Sequence, residues 1–400
     1  MSNKQSPSSD LRGLSSLTIE AIVGITGLAE AVHMNILNTI ARWGVPAHKP
    51  LSVAASMMYR SIRGVTHLVG SGIDILLDRL TPLLGKSSAL PGREAVLAAL
   101  NGVMGDYLAS SGNPLSIAMT FRRDGKALVL KKQELAAAMP NLNGRILVLA
   151  HGLCMNDLEW LRRGHDHGAA LARDRGYTPV YLYYNSGLHV STNGREFAAQ
   201  LEALVRHWPT EVEELVILGH SMGGLLARSA FHYGVMAGHR WPQRLRKLVF
   251  MGAPHHGAPL ERGGNWFHVL TGISSYTAPF SSLGKIRSAG ITDLRYGNLL
   301  DQDWEGKDRF AHVGDQRNAV PLPRKVQCYA IAATTGKQAG DISDRLLGDG
   351  LVPLKSALGR HENPNLNLVF APENQWIGYG MNHVDLLSRD EVYQRLLDWL

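Results

Sequence analysis

Cysteine is scarce in this chain, and that scarcity limits how the fold can be stabilised. The 400 residues include two cysteines, Cys154 and Cys328, which lie far apart in the sequence. Two distant thiols do not make the disulfide network on which small secreted domains depend. Residues 1–10 are polar, and they lack the charged stretch, apolar segment and cleavage site of a secretory signal. We therefore expect a cytoplasmic protein.

Long hydrophobic runs are missing as well. The longest apolar run near the start, residues 21–29, contains glycine and threonine. A helix that crosses a bilayer needs about 20 consecutive apolar residues. The sequence therefore predicts no membrane-spanning segment.

The charged residues are not clustered. The chain carries 41 Lys and Arg against 34 Asp and Glu, a formal net charge of +7, but the cations are scattered. We therefore expect no nucleic-acid partner. A basic surface is attracted to anionic lipid, so peripheral contact with a membrane remains an alternative. With 45% hydrophobic residues and 42 glycines, the composition is that of a folded globular protein of unknown oligomeric state.

The first quarter of the chain predicts helices. Residues 1–13 are expected to form a disordered tail, and residues 14–110 a helical extension. Apolar residues recur at helical spacing over residues 14–43 and 51–84, and a third helix is expected at residues 93–110. Such amphipathic helices either pack as a cap on the rest of the protein or lie on a membrane surface. Both interpretations stay open, and the membrane contact would come through these helices.

From residue 111 to residue 400, strands and helices alternate. Asp124-Gly125 joins two short strand-like runs, residues 115–122 and 127–131, which is a strong hairpin signal. Further strands are expected at residues 145–150, 179–184, 214–218, 245–251, 326–332 and 366–370, and helices at residues 165–175, 193–208, 222–236 and 389–400. This alternation predicts an α/β domain with a mostly parallel central sheet and helices on both faces.

One long stretch interrupts the alternation. Residues 258–325 form no clear strand, and a structureless loop of this length is improbable in a compact domain unless it is functional. We interpret it as a lid-like insertion. Its large apolar side chains either line an acyl-chain pocket or pack an inserted helix; they are Trp266, Phe267, Val269, Leu270, Ile273, Tyr276 and Phe280.

The strongest motif is Gly219-His220-Ser221-Met222-Gly223. It follows the apolar run at residues 215–218 and precedes a helical stretch at residues 225–231. This strand-to-helix context is typical of a nucleophile elbow, in which a strained turn presents a serine hydroxyl and flanking glycines relieve the crowding. The sequence therefore predicts Ser221 as a nucleophile.

A serine hydroxyl needs a base and an acid to become a nucleophile at neutral pH. In this arrangement the histidine comes last in the sequence, after the final strand, which favours His383 over the earlier His361. The acid should follow the strand at residues 326–332. We select Asp349, which glycines flank, over Asp341 and Asp344, which are expected in a solvated loop; Asp293 is the fallback.

The negative charge that develops during acyl transfer needs backbone N–H donors. One is expected from Met222, directly after the nucleophile. The other is expected from Leu153, which follows His151-Gly152 at the end of the strand at residues 145–150. We reject neighbouring Cys154 as a nucleophile, because the elbow already supplies one and cysteine commonly packs as a small apolar residue.

Paired histidines occur in Gly252-Ala253-Pro254-His255-His256-Gly257. Adjacent histidines point apart in an extended chain, and no Cys, Asp or Glu follows within three residues. We expect a loop-structuring role, with no metal and no cofactor.

At these motifs the chain resembles the lipase and esterase branch of the α/β-hydrolases, and it is similar to bacterial relatives of the glycosylphosphatidylinositol inositol-deacylase group. The matching segments lie within residues 146–400; they are Leu149-Ala150-His151-Gly152, Gly219-His220-Ser221-Met222-Gly223-Gly224, Gly252-Ala253-Pro254-His255-His256-Gly257, Gly348-Asp349-Gly350-Leu351-Val352-Pro353 and Asn382-His383. The resemblance implies the α/β-hydrolase fold, carboxylic-ester chemistry and a Ser221–Asp349–His383 triad. Some lipases of the fold bind calcium where Asp385 stands, but further ligands are not recognisable.

The leading hypothesis is hydrolysis of a lipid-like or other apolar acyl ester through an acyl-serine intermediate. Transfer of the acyl group to an alcohol or thiol would use the same residues. A third hypothesis is a non-enzymatic scaffold on a hydrolase fold, since a fold does not guarantee a function. The sequence leaves these alternatives to experiment.

Overall fold

The computed structural model describes residues 93–258, 287–308, 314–341 and 348–400. The predicted tail and first two helices, at residues 1–84, lie outside these residues, as do Asp344 and the apolar side chains expected in the lid at residues 266–280. Among the helices that are described, none is both long enough and apolar enough to cross a membrane.

A single eight-stranded sheet organises the described residues. Its strands are β1 (Thr120–Arg123), β2 (Lys126–Ala127), β3 (Arg145–Ala150), β4 (Thr178–Tyr183), β5 (Glu214–His220), β6 (Leu245–Met251), β7 (Gln327–Thr334) and β8 (Gln375–Tyr379). Their order is β2-β1-β4-β3-β5-β6-β7-β8. The six strands from β4 to β8 in this order are parallel, and the β1–β2 hairpin adds an antiparallel edge. The predicted mostly parallel sheet is confirmed.

Eight α-helices connect and flank these strands in the described residues. They are α1 (Arg93–Ser110), α2 (Lys132–Ala138), α3 (His167–Arg175), α4 (Val190–His207), α5 (Met222–Met236), α6 (Ala289–Asp293), α7 (Leu354–Ala357) and α8 (Asp390–Trp399). Short 3₁₀ helices lie at Asp157–Trp160, Trp241–Gln243, Asp301–Asp303, Pro364–Leu366, Pro372–Asn374 and Asp385–Leu387.

The two faces of the sheet bury separate apolar clusters. Along β3, Ile146 and Val148 join the cluster that contains side chains of α4 and α5, whereas Leu147 and Leu149 join the cluster that contains side chains of α3 and α8. Successive side chains of a strand point to opposite faces, so a strand covered on both sides must be apolar throughout. Burying each such side chain contributes about 1.5–3 kcal/mol.

The helix α1 is packed into the domain. Gly102 lies so close to Cys154 that an added Cβ would be 2.2 Å from its sulfur. Asn101 donates to the carbonyls of Leu97 and Leu115 and accepts from the Ile117 amide, which ties the helix to the chain that follows. The last helix of the predicted extension therefore shares a core with the sheet domain, a contact that helical periodicity alone could not reveal.

The last strand is the main correction to the sequence prediction. A strand was expected at residues 366–370, but the last strand in the structure is β8 (Gln375–Tyr379), which pairs in parallel with β7. Leu368 and Phe370 are buried through their side chains, yet the Leu368 amide donates to Gly359 rather than to a strand. Alternating buried apolar residues imitated a strand here without its pairing. The hairpin strands β1 and β2 are also shorter than predicted.

Candidate active site

Ser221 stands at a strained turn between β5 and α5. Its backbone torsions are φ 54° and ψ −125°, a region that non-glycine residues seldom adopt. A Cβ added at Gly219 would lie 2.7 Å from the Gly224 nitrogen. A Cβ added at Gly223 would lie 2.2 Å from the Ala150 carbonyl oxygen. The turn therefore requires glycine at both positions, and its geometry is that of a nucleophile elbow.

Asp349 and His383 meet although they lie on loops after different strands. Asp349 Oδ2 is 2.7 Å from His383 Nδ1, and the His383 amide donates to the Asp349 carbonyl. The other carboxylate oxygen accepts from the amides of Leu351 and Val352 at 2.9 and 2.8 Å. Both side chains are almost completely buried. The carboxylate is thus fixed from two sides and aimed at the imidazole.

The Asp349 loop needs glycine to make this turn. Gly348 has φ 55°, and a Cβ there would lie 2.1 Å from the Val352 carbonyl oxygen. At the other loop, Asn382 accepts from the amides of Val384 and Asp385 and so fixes the turn that carries His383. Local backbone chemistry therefore positions both members of the pair.

The hydrogen bond to Asp349 defines the tautomer of His383. A carboxylate only accepts, so Nδ1 carries the proton and Nε2 is left as an acceptor. Nε2 is buried and has no hydrogen-bond partner among the described residues, so no bond to the Ser221 hydroxyl is formed here. Catalytic hydrogen bonds are often long before substrate binds. The free acceptor is what a general base requires.

His220, which the sequence did not single out, contacts His383. Its ring centroid lies 4.7 Å from that of His383, and its Nε2 lies 3.2 Å from the His383 carbonyl oxygen. Burial, together with neighbouring His383, holds the pKa of His220 well below its ordinary value. The neutral ring therefore donates to that carbonyl and ties the loop of His383 to the residue before Ser221. Its only sequence signal is its place before the serine.

The loop after β3 packs directly against Ser221. An added Cβ at Gly152 would lie 2.9 Å from Ser221 Cβ. The Leu153 amide, next along this loop, has no partner among the described residues. The Met222 amide begins α5, where the first N–H groups of a helix have no acceptor within the helix. Both predicted donors therefore lie beside the serine with unused N–H groups.

The residues around these donors are held neutral. The hydroxyl of Tyr184 donates to the His151 carbonyl at 2.9 Å, and the two rings stack at 4.4 Å. Burial lowers the pKa of His151 to about 4. Cys154 is buried, its amide donates to Ser186 Oγ, and burial raises the pKa of its thiol above the ordinary range. A thiol that holds its proton so strongly is a poor nucleophile, which agrees with its rejection.

The alternative acids are engaged elsewhere. Asp293 accepts from the Val190 amide and from His189, and Asp341 accepts from the amides of two neighbouring loop residues. Asp385 is paired with Arg163 at 3.1 Å. Among the described residues, no group of three or more His, Cys, Asp or Glu side chains is arranged to hold a metal ion.

His255 and His256 structure their loop, together with two arginines. Nη1 of Arg228 approaches His255 Nδ1 at 3.4 Å, and Nη2 of Arg317 approaches His256 Nδ1 at 2.6 Å. His361, the rejected base, has its ring 4.9 Å from that of His256. None of these rings is hydrogen-bonded to the Ser221 or Asp349 side chain.

The mostly parallel sheet, the elbow after β5, and the acid and histidine loops after β7 and β8 together define the α/β-hydrolase fold. Comparison with protein families agrees: the family model described as "PGAP1-like alpha/beta domain" matches residues 182–320. This stretch contains Ser221 and the His255-His256 loop but ends before Asp349. The resemblance to the inositol-deacylase group is therefore supported by the part of the chain that carries the elbow.

Solved structures with a similar chain path include bacterial lipases and esterases. They are a Bacillus licheniformis lipase, BlEst2, in its mature form (14% identity, TM-score 0.40, 64% of this chain and 91% of that chain), EstA from Clostridium botulinum (13%, 0.41, 64% and 86%) and a thermostable carboxyl esterase from Bacillus coagulans (14%, 0.34, 64% and 88%). Comparison with curated protein sequences gave no match. Likenesses at this level do not identify a substrate.

Proposed function

We propose that this protein hydrolyses a carboxylic ester through an acyl intermediate on Ser221. The observation that carries the proposal is the buried 2.7 Å hydrogen bond between Asp349 and His383, which leaves Nε2 of His383 as an unused acceptor. His220, the residue before Ser221, lies 3.2 Å from the His383 carbonyl oxygen through its Nε2, and this contact supports a position of the imidazole near the nucleophile. A carboxylate, an oriented imidazole and a strained serine are the three parts that nucleophilic ester cleavage needs.

The proposed reaction uses each part in turn. Ser221 Oγ attacks the ester carbonyl carbon while His383 Nε2 takes the hydroxyl proton, and Asp349 stabilises the imidazolium that results. The carbonyl oxygen becomes negative and accepts from the amides of Leu153 and Met222; losing one such donor typically costs about 10²–10³ in rate. His383 then gives its proton to the departing alkoxide. Water, deprotonated by the same nitrogen, releases the acid from Ser221.

The acyl part of the substrate is proposed to be lipid-like or otherwise apolar. The side chains of Leu153 and Met222, whose amides would bind the carbonyl oxygen, belong to one apolar cluster with Ile291 and Leu294 of the insertion at residues 258–325. The larger apolar side chains predicted for that insertion lie outside the described residues. A cytoplasmic location and membrane contact through residues 14–84 likewise remain predictions.

Labelling with a fluorophosphonate tests the nucleophile. We expect wild-type protein to form one covalent adduct on Ser221, identified by peptide mass spectrometry, and Ser221→Ala to form none. Ser111→Ala, which removes an exposed hydroxyl, should label like the wild type. A folded wild-type protein that stays unlabelled would contradict the proposal, and so would an adduct on another serine.

The substrate is tested with p-nitrophenyl esters of increasing acyl length, with Ser221→Ala as the blank. We expect the highest kcat/KM at medium or long chains, because each buried methylene adds about 0.8 kcal/mol of binding. Adding an alcohol acceptor then separates hydrolysis from acyl transfer by the products formed. Turnover that survives Ser221→Ala would reject the mechanism.

A further inference from the structure

A second polar site lies away from Ser221, around a cavity of about 190 Å³. Its lining includes Arg228 from α5, His255 and His256 from the loop after β6, and Arg317 and Asn318 from the chain before β7. A cavity of this size is far larger than one water molecule needs. Arg228 lies seven residues after Ser221, which corresponds to about 10 Å along the axis of α5. The proposed acyl chemistry uses none of these side chains.

The ionisable side chains among the described residues that line this cavity are two arginines and two histidines, and none is acidic. Arg228 is 5% exposed and donates to the Val320 carbonyl, and its Nε has no partner among the described residues. No ion pair with Arg228 occurs in the described part of the chain. Arg317 pairs with Asp315 at 3.2 Å, and the carboxylate of Asp303 also acts on it electrostatically. Neither carboxylate is among the described residues that line the cavity.

The two histidines do not balance this charge. His255 is completely buried, and its Nε2 has no hydrogen-bond partner among the described residues. Burial and the nearby arginines hold the pKa of His255 well below its ordinary value and lower that of His256 to about 4. Burial and Arg317 also lower the pKa of Arg228 to about 9. In all three groups burial is the largest cause of the lowered pKa, and the neighbouring cations lower it further.

An unpaired buried cation is costly, and proteins normally provide it with a counter-charge. Here Nε of Arg228 and Nε2 of His255 have no hydrogen-bond partner among the described residues, and both residues line the cavity. Arginine matches the planar pairs of oxygens of phosphate groups by donating two parallel hydrogen bonds. The arrangement therefore has the donors and the charge of an oxyanion site, and the counter-charge would come from outside the chain.

His256 also lines a second, outer cavity of about 520 Å³. Among the described residues that line it, Arg295, Lys355 and Arg360 are cationic and Glu362 is the one acid. A concave surface lined by one sign of charge raises the local concentration of ions of the opposite sign. The outer cavity would thus gather anions at the entrance of the inner one.

We propose that the inner cavity binds a phosphate-class oxyanion, held by Arg228 and Arg317 with His255 as a further donor. The ligand is either free phosphate or the phosphate group of a phosphomonoester. The site is separate from the proposed ester chemistry, and its test needs no enzymatic activity.

Calorimetric titration of the full-length protein with inorganic phosphate at constant ionic strength tests this proposal. We expect one site per chain, and binding about 10- to 100-fold weaker in Arg228→Met, because a hydrogen bond to a charged group is lost. Arg228→Lys keeps the positive charge but loses the two parallel N–H donors. Its affinity for phosphate should therefore lie between those of the wild type and Arg228→Met. Arg206→Met is the matched control, since it removes an exposed arginine on α4, and it should bind like the wild type.

A second measurement keeps the test decisive if Arg228→Met folds poorly. Phosphate should raise the Tm of the wild type and of Arg206→Met relative to chloride at equal ionic strength, and it should raise the Tm of Arg228→Lys less. No binding to the wild type, or equal binding to Arg228→Lys and the wild type, would overturn the proposal. Acetate binding as tight as phosphate would overturn the ligand class.

Glycerol 3-phosphate serves as the soluble phosphomonoester and separates the two sources. If it competes with phosphate and binds at least as tightly, the cavity admits an esterified phosphate group. If phosphate binds and the ester does not, the ligand is the free ion. Both results support an oxyanion site and differ in what the entrance accepts.

Discussion

In the described part of the chain, two buried aspartates each contact a histidine, and the two pairs differ in what surrounds them. Asp349 and His383 lie on loops after β7 and β8, with a contact of 2.7 Å. Asp293 and His189 lie at the end of α6 and just before α4, with a closest contact of 3.0 Å. In the first pair the second ring nitrogen has no hydrogen-bond partner among the described residues, and the ring lies 4.7 Å from that of His220. In the second pair the ring stacks on Trp304 at 3.7 Å.

The surroundings explain the second pair without catalysis. The carboxylate of Asp293 accepts from the Val190 amide at 2.8 Å, at the first residue of α4. A negative charge at a helix N-terminus is stabilised by the unpaired N–H groups there. Burial raises the pKa of Asp293, while His189 opposes that rise. A histidine–aspartate contact is thus not by itself a catalytic signature, and the first pair is distinguished by the contact of His383 with His220, the residue before Ser221.

The largest effect on activity is expected when the aspartate of the first pair is replaced. Asp349→Asn should lower kcat for ester hydrolysis by about 10³- to 10⁴-fold, because an amide at this position no longer stabilises the imidazolium or the required tautomer. The rate of fluorophosphonate labelling should fall with it. Both are measured on protein whose unfolding curve shows that it is folded.

Asp293→Asn is the matched control, because it makes the same chemical change in the other histidine–aspartate pair. Its kcat should stay within about threefold of the wild type, while losing a good acceptor for the α4 amides should cost about 1–3 kcal/mol of unfolding free energy. Equal losses of activity in the two variants would show that Asp293, the fallback acid, takes part in the chemistry.

A smaller effect is expected from the residue that backs the catalytic ring. Gly252 has φ 60°, and a Cβ there would lie 3.0 Å from His383 Cε1 and 2.9 Å from Leu386 Cδ1. Gly252→Ala should therefore displace the imidazole and lower kcat by about 10²-fold, as misplacements near 1 Å do. The measurement is ester turnover at saturating substrate.

Gly238→Ala separates displacement of the ring from backbone strain. Gly238 has φ 66°, close to that of Gly252, but no atom lies within 4 Å of a Cβ placed there. Both substitutions carry the strain of a left-handed backbone, about 1–2 kcal/mol, whereas only the first one presses on His383. If the two variants lose activity equally, contact with the ring is not the cause.

The sequence could predict the first pair because its signals are local. Each signal depends only on the backbone structure at its own place in the chain. These signals are the elbow glycines, the glycine next to Asp349 and the apolar runs of β3 and β6. The order of serine, acid and histidine along the chain then selected Asp349 and His383 from many candidates. Their 2.7 Å contact agrees with that selection, and their catalytic roles remain to be tested.

What the sequence could not supply depends on contacts between distant segments. β8 was misplaced because Leu368 and Phe370 bury their side chains without pairing their backbone. The basic cavity was missed because it forms only when α5, the loop after β6 and the chain before β7 come together. A signal did exist: Arg228 is the one charged residue in the stretch from Leu225 to Ala230, whose other residues are leucine, alanine and a serine. A single arginine in such a stretch is a reason to look for a buried partner.

The smallest expected effect concerns stability and involves His167, a histidine that contacts no carboxylate. His167 is completely buried, its Nε2 lies 2.9 Å from the Leu386 carbonyl oxygen and its Nδ1 lies 2.9 Å from His165 Nε2. A carbonyl only accepts, so Nε2 carries the proton and Nδ1 accepts from His165. Burial lowers the pKa of His167 to about 4, against 6.5 for an unperturbed histidine.

The unfolded chain therefore binds more protons at position 167 than the folded chain between pH 6.5 and pH 4, and stability falls as the pH drops through this window. For these two pKa values the loss is about 2 kcal/mol at pH 5 relative to pH 8. Glutamine at position 167 cannot titrate, so the unfolding free energy of His167→Gln should fall by about 2 kcal/mol less than that of the wild type between pH 8 and pH 5. The measurement is urea denaturation of both proteins at a series of pH values. The stability of His167→Gln at pH 8 isolates the cost of the substitution itself. Parallel curves for the two proteins would mean that His167 is protonated in the folded state as readily as in the unfolded one, and burial without a carboxylate would then not be enough to keep a histidine of this fold neutral.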